Sequence, residues 1–267
     1  HIMFENPFYG TFLSAVELEI RKAGYHLILS GTNPGQSYID IVKSRTLDGV
    51  IILGAYPSGD VAEYKEYKIP AVLVDCYGSD NSFFYSVRTD DRLGGYLATK
   101  HLIEKGHRNI AIVTGGLKEN GVNSERYQGY LDALKEAGIR PLKKNLFEGY
   151  VDYRYGGEVA RSLAKDRRGI TAIFATADIT AVGVINGLNQ AGISVPEDIS
   201  IVGFDDVEYA QMCYPGLTTI RQNIMEKGRQ AARLMIEAAQ NHRLPRVERM
   251  IPMELVERGT VKEVYVD

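Results

Sequence analysis

The side chains able to do chemistry in this chain are sparse, and their spacing matches no catalytic signature. None of His1, His26, His101, His107 and His242 has a His or Cys partner four positions away, so solvated or capping roles account for them. Cys76 and Cys213 stand far apart with no C-x-x-C spacing, which suits a reducing compartment and argues against a zinc site. There is no P-loop, no H-E-x-x-H, no G-x-S-x-G and no G-x-G-x-x-G after a strand. Two acidic pairs remain, Asp90-Asp91 and Asp205-Asp206. Asp90 is expected to cap a helix from Arg92, and Asp91 and Asp206 are given equally structural roles. Asp205 is expected to face a ligand.

The reason is position. In open parallel α/β sheets, ligands bind beyond the carboxyl ends of the strands. Asp75, Thr114-Gly115, Ala177-Asp178 and Phe204-Asp205 follow short apolar runs and mark such ends. Phe8-Tyr9, at the start of the first helix, and Arg126, early in the helix after Gly115-Gly116, belong near them. Aromatic faces, a guanidinium fork and one or two carboxylates suit a small polyhydroxylated ligand. Sugar C–H faces pack on rings, and vicinal hydroxyls match a guanidinium or carboxylate two at a time. The competing reading makes Phe8 and Tyr9 a hydrophobic staple and Arg126 a surface ion-pair residue. Position alone leaves the two balanced.

The elements that must position these residues repeat one phrase: an amphipathic helix, a Gly stop, then a short β-branched run. Phe12, Val16 and Ile20 recur every four residues and put one stripe of the first helix inward. The stops Gly24, Gly106, Gly138 and Gly192 follow, with strands expected over 25–29, 109–113 and 200–203 and others over 50–53, 71–74 and 172–175. Apolar runs of this kind, separated by helices, indicate parallel strands covered on both faces. Their number exceeds what one open sheet carries comfortably, so the fold class is α/β with two doubly wound parallel-sheet lobes. With no Gly/Ser-rich or Pro-rich linker, the lobes are expected to join through three crossings, at Gly106-His107, at 217–222 and around Pro245. That divides the chain into 1–106 plus 221–244 and 107–220 plus 245–267, a clamshell with its ligand in the cleft.

Composition limits the role. The 267 residues are 45% hydrophobic and 24% charged, the formal net charge is −3, and no apolar run approaches the roughly 18–20 residues of a membrane helix. A mildly acidic chain of mixed charge has no electrostatic footprint for wrapping a nucleic-acid backbone. No secretory signal pattern is present in 1–10.

The residues also resemble a known family. Asn6-Pro7-Phe8-Tyr9, Leu47-Asp48-Gly49-Val50-Ile51-Ile52, Leu93-Gly94-Gly95-Tyr96-Leu97-Ala98 and Gly106-His107-Arg108-Asn109-Ile110-Ala111 are similar to segments of lactose-repressor (LacI/GalR) family cores. So are Glu125-Arg126-Tyr127-Gln128-Gly129-Tyr130, Val195-Pro196-Glu197-Asp198-Ile199-Ser200 with Gly203-Phe204-Asp205-Asp206, and Leu217-Thr218-Thr219-Ile220-Arg221-Gln222. The resemblance runs collinearly over the whole chain. It implies a periplasmic-binding-protein-like type I clamshell, cytoplasmic and homodimeric, that binds a small effector, a sugar, and needs no cofactor or metal. Operator DNA would be read only through a helix-turn-helix headpiece that is not part of this sequence. The first strand of the N-terminal lobe is likewise expected to be missing or reduced to His1-Ile2-Met3.

Carried over one position at a time, the resemblance places Asn6, Phe8, Tyr9, Asp75, Arg126, Asp205 and Gln222 on the effector. Three departures stand out. Cys76 replaces a second Arg of pentose-binding relatives, Ala177 replaces a frequent Asn, and Val151 replaces a common aromatic for which Tyr150, Tyr153 or Tyr155 could substitute. Tyr153 is therefore added to the site. Losing polar partners and gaining tyrosines suggests a roomier, more aromatic cleft suited to a di- or oligosaccharide, with a purine-like effector as the other option. The alternative function is an exported sugar-binding protein feeding a transporter. An enzyme ranks behind both, since no nucleophile–base pair is available.

Overall fold

The computed structural model describes residues 5–31, 42, 46–54, 69–78, 84–118, 120–241 and 244–264. Its helices are α1 (Pro7–Lys22), α2 (Asp91–Glu104), α3 (Val122–Glu136), α4 (Tyr153–Lys165), α5 (Asp178–Gln190), the short α6 (Glu208–Met212) and α7 (Ile224–Gln240). The strands are β1 (Val50–Leu53), β2 (Ala71–Val74), β3 (Tyr85–Arg88), β4 (Ile110–Thr114), β5 (Leu146–Glu148), β6 (Ala172–Ala175), β7 (Ser200–Asp205), β8 (Thr218–Gln222), β9 (Glu248–Met250) and β10 (Met253–Val256).

These strands form two sheets. The first runs β1-β2-β3-β9, all parallel; the second runs β10-β8-β7-β6-β4-β5, with β10 alone antiparallel, against β8. The central strands β2, β4, β6 and β7 are buried throughout, as two-sided coverage by helices requires. On the first sheet, Phe12 and Val16 of α1 pack with Val72, Val74 and Leu234. The second sheet has a core on each face. All four expected glycine stops take positive φ. At Gly106 the need is doubled, because a Cβ there would lie 2.0 Å from the Val264 carbonyl oxygen.

The expected lobe boundaries shift at all three crossings. Helix α2 was placed with the first lobe, yet Ala98 and Leu102 pack among Ile112, Phe174 and Phe204 of the second. Its Gly95 touches α3 so closely that a Cβ would meet the Arg126 carbonyl oxygen at 2.1 Å. The crossing therefore falls at Thr89-Asp90, before the helix rather than after it. Strand β8 keeps Arg221 and Gln222 in the second sheet, opposite β7, so that crossing moves to Asn223. The crossing expected around Pro245 lies further on, between two short strands. Glu248–Met250 pairs with β3 of the first sheet and Met253–Val256 with β8 of the second, which puts the last crossing at Ile251-Pro252. Periodicity finds strands but not which sheet a helix between them covers.

The strand expected over 25–29 does not form. Residues 25–31 carry no strand, and Leu27, Ile28 and Leu29 are 39%, 57% and 47% exposed. Among the described residues nothing pairs with the outer edge of β1, this segment included, and its backbone joins no ladder. The expectation about His1-Ile2-Met3 lies outside the described residues.

Candidate functional site

The carboxyl ends of β2, β7 and β8 and the amino ends of α1 and α3 converge on one small cavity. Asn6 caps α1, its Oδ1 accepting from the Phe8 N–H at 3.0 Å, and Pro7 opens the helix. That cap fixes the two rings behind it: Phe8 and Tyr9 meet edge to face with centroids 5.3 Å apart. Asp75 follows β2 at φ 52° and Asp205 ends β7 at φ 116°. Both conformations are costly for a residue with a side chain, and the second more so, which marks the strand ends as places where local strain is tolerated.

Arg126 organises the cavity. It is buried on α3; Nε donates to Asp91 Oδ1 at 2.7 Å and Nη1 to the Thr176 carbonyl at 2.6 Å, and Nη1 lies 3.8 Å from Asp205 Oδ1. Its Cζ sits 3.6 Å from the centroid of the Phe204 ring, so the guanidinium is held on a face as well as by its edges. Asp205 Oδ1 accepts from Gln222 Nε2, and Gln222 Oε1 accepts from Lys227 Nζ. Lys227, fully buried on α7, also donates to both oxygens of Asp75, at 2.8 and 2.7 Å, and to Thr89 Oγ1 at 3.2 Å. The chain of bonds runs on through the Tyr77 hydroxyl to Asp91. It laces the first sheet (Asp75, Lys227) to the second (Arg126, Asp205, Gln222).

The electrostatics follow from three carboxylates sharing two cations in a dry place. Burial pushes the Asp205 carboxyl up to about 6, against the pull of Arg126 and the Gln222 bond. Burial likewise raises Asp75, opposed by Lys227. For Arg126 burial works against the cation, but Asp91 and Asp205 more than offset it and its pKa rises. Arg126 Nη2 and Asp205 Oδ2 have no protein hydrogen bond among the described residues. These two cavity-lining residues thus keep one donor atom and one acceptor atom unspent.

Seven of the eight residues singled out from the sequence line this cavity: Asn6, Phe8, Tyr9, Asp75, Arg126, Asp205 and Gln222. Tyr153 does not. It opens α4 on the rim of a second, outer chamber that shares Asn6 and Val151 with the inner one. Of the departures, Ala177 and Val151 form inner wall. Cys76 is 2% exposed, its thiol pushed up to about 12 by burial and bonded to the Gly54 carbonyl at 2.6 Å, so it is inert packing.

Two charged residues of the site's hydrogen-bond network escaped the sequence reading. Asp91 was given a bland helix-start role, but it is 1% exposed and holds Arg126; only the close approach of α2 and α3 turns it inward. Lys227 carried a readable signal, since it stands on the stripe Ile224, Gly228, Ala231, Met235 that α7 buries. A cation on an apolar stripe needs an anion opposite. Asp90 does cap α2, accepting from the Leu93 N–H at 2.9 Å. Asp178, beside Ala177, turns from the cavity to hold the Val207 N–H and the Thr219 hydroxyl. Among the described residues no group of His, Cys, Asp and Glu could hold a metal ion, and no helix is long and apolar enough to cross a membrane.

Comparison with known proteins adds three relatives. Residues 99–261 match the periplasmic binding protein-like domain family. The HTH-type transcriptional repressor PurR of Glaesserella parasuis serovar 5 (strain SH0165) is 32% identical over 274 residues, 97% of this chain and 79% of the relative. The transcriptional regulator CelR in complex with cellobiose superposes with a TM-score of 0.86 at 27% identity, over 97% of this chain and 80% of that one. A LacI family transcriptional regulator from Enterococcus faecium with bound ribose gives 0.87 at 28% identity, over 97% and 96%.

Proposed function

The chain belongs to the periplasmic-binding-protein-like family of LacI-type transcriptional regulators, and from that premise we propose that its cleft senses a sugar and so controls operator binding by a helix-turn-helix headpiece. The observation that carries the sugar is the pair of open valences on Arg126 Nη2 and Asp205 Oδ2, flanked by the Phe8 and Tyr9 rings. One donor and one acceptor on residues lining the same cavity can serve a vicinal diol, while the rings cover its C–H face. The bound cellobiose and ribose of two relatives support the same class. The relatives are repressors and regulators, which favours sensing over transport or catalysis.

Control follows from where the contacts come from. Asp75 belongs to the lobe of the first sheet, Arg126, Asp205 and Gln222 to that of the second, with the lobes dividing at Thr89-Asp90, Asn223 and Ile251-Pro252. A ligand that bonds both sides has differential affinity for lobe arrangements and shifts their populations. In a cytoplasmic homodimer, that shift would reset the spacing of two headpieces on an operator. The exposed apolar cluster Tyr209, Met212 and Tyr214 supports a dimer face. Tyr214→Glu is expected to turn the dimer into a monomer in analytical ultracentrifugation; a wild-type monomer would overturn this part.

The test is a thermal-shift screen of sugars and nucleobases. A sugar is expected to raise the melting temperature further as its concentration rises above its Kd, and Arg126→Ala to abolish the shift. Hits confined to nucleobases, or none at all, would overturn the sugar reading.

A further inference from the structure

The inner cavity, at about 120 Å³, is small for an effector site, since ligand pockets run to roughly 300–1,000 Å³. The outer chamber, about 630 Å³, lies within that range and opens from the inner one past Asn6 and Val151. Its rim carries Tyr153, 46% exposed, and Tyr150, 68% exposed. Tyr153 is the more fixed of the two: it is the first residue of α4, behind the Asp152 cap, and its hydroxyl accepts from Asn186 Nδ2 at 3.2 Å. Glu5, Arg154 and Glu158 complete the wall, and none has an ion-pair partner among the described residues.

We propose that this outer chamber is a second sugar subsite, so that the effector is an uncharged disaccharide or longer glycoside spanning both chambers. This rests on the sugar reading above and deepens it. One ring enters the inner cavity and meets Arg126 and Asp205. The next lies over Tyr153 and Tyr150, whose exposed faces supply the apolar platform that the pyranose C–H face needs. Arg154 and the two glutamates offer a donor and acceptors to its hydroxyls. They also make an anionic second unit unfavourable, because two carboxylates face one guanidinium. The aromatic expected at Val151 has in effect moved outward, from the seam between the chambers to the far wall.

The experiment is calorimetry with ribose, glucose, galactose, cellobiose, maltose, lactose and sucrose as probes, on the wild type and on Tyr150→Ala and Tyr153→Ala. At least one disaccharide is expected to bind at least ~tenfold more tightly than either of its component sugars. Each tyrosine variant should weaken that disaccharide and leave the component sugars unchanged, with a wild-type melting temperature. A monosaccharide binding as tightly as every disaccharide, or variants that weaken both alike, would overturn the subsite while leaving the sugar reading intact. Binding of none of the probes would overturn both.

Discussion

Asp205 and Asp206 are consecutive, both at positive φ and both with covered side chains, 5% and 3% exposed, and they do opposite work. Asp206 turns toward the far side of the second sheet. Its Oδ2 accepts from Arg221 Nε at 2.7 Å and its Oδ1 from Arg258 Nη2 at 2.6 Å, so each oxygen has its own guanidinium. Asp205 turns into the cleft, where its one direct side-chain partner among the described residues is the neutral amide of Gln222, and Arg126 stands 3.8 Å away, already engaged by Asp91. One carboxylate is satisfied by the protein. The other is left short, and burial raises its proton affinity against the pull of Arg126 and the Gln222 bond. A buried polar group that the fold under-serves is costly by itself and is what a ligand can complete.

That contrast can be broken most strongly at Arg126. Arg126→Ala would leave Asp91 and Asp205 buried without their shared cation, at a cost of about 3–5 kcal/mol in urea unfolding as well as lost effector binding. Unchanged stability would mean that the cleft cluster is better hydrated than its burial indicates. The two aspartates should then separate cleanly. Asp205→Asn is expected to hold or raise stability at neutral pH, by up to about 3 kcal/mol, because an amide replaces a carboxylate that burial disfavours. Asp206→Asn is expected to lower it by about 2 kcal/mol by leaving two arginines short of one charge. Effector binding should move the other way, lost in Asp205→Asn and kept in Asp206→Asn. Equal effects of the two substitutions would erase the distinction.

The sequence tells these neighbours apart only in part. A strand end in a parallel sheet is where a cleft is expected, and that rule alone puts Asp205 on the cavity it lines. The resemblance added Asn6 and Gln222, which position alone did not reach. What stayed illegible was everything decided by which helix lies against which sheet. Asp91 reads as a structural acid because nothing local shows that α2 packs on α3, which brings it to Arg126. Lys227 could have been flagged by its place on a buried stripe, but its anion, Asp75, is 152 residues distant, and no local pattern names a partner at that range. The Gly stops were legible because left-handed backbone is a local demand. The strand over 25–29 failed for the converse reason: alternating or apolar residues make a strand only when a neighbour offers a ladder.

The smallest expected effect is also the most specific to Asp205, and its two signs are opposed. Burial raises this carboxyl from 3.8 in an ordinary setting to about 6, so the folded protein holds the proton more tightly than the unfolded chain. Its contribution to stability is therefore complete below pH 3.8 and lost as pH rises through 6, a slope that Asp205→Asn should remove and Asp206→Asn should retain. Effector binding needs the ionised acceptor and should run the other way. Between pH 7 and pH 5 the ionised fraction falls about tenfold, so the affinity of a sugar identified in the screen should fall by a similar factor, about 1.4 kcal/mol. Measured together by urea melts and calorimetry, the two profiles should cross near the same pH. An affinity flat from pH 7 to 5 would mean that the sugar bonds the cleft without Asp205, and that its shortfall of partners serves the lobe contact alone.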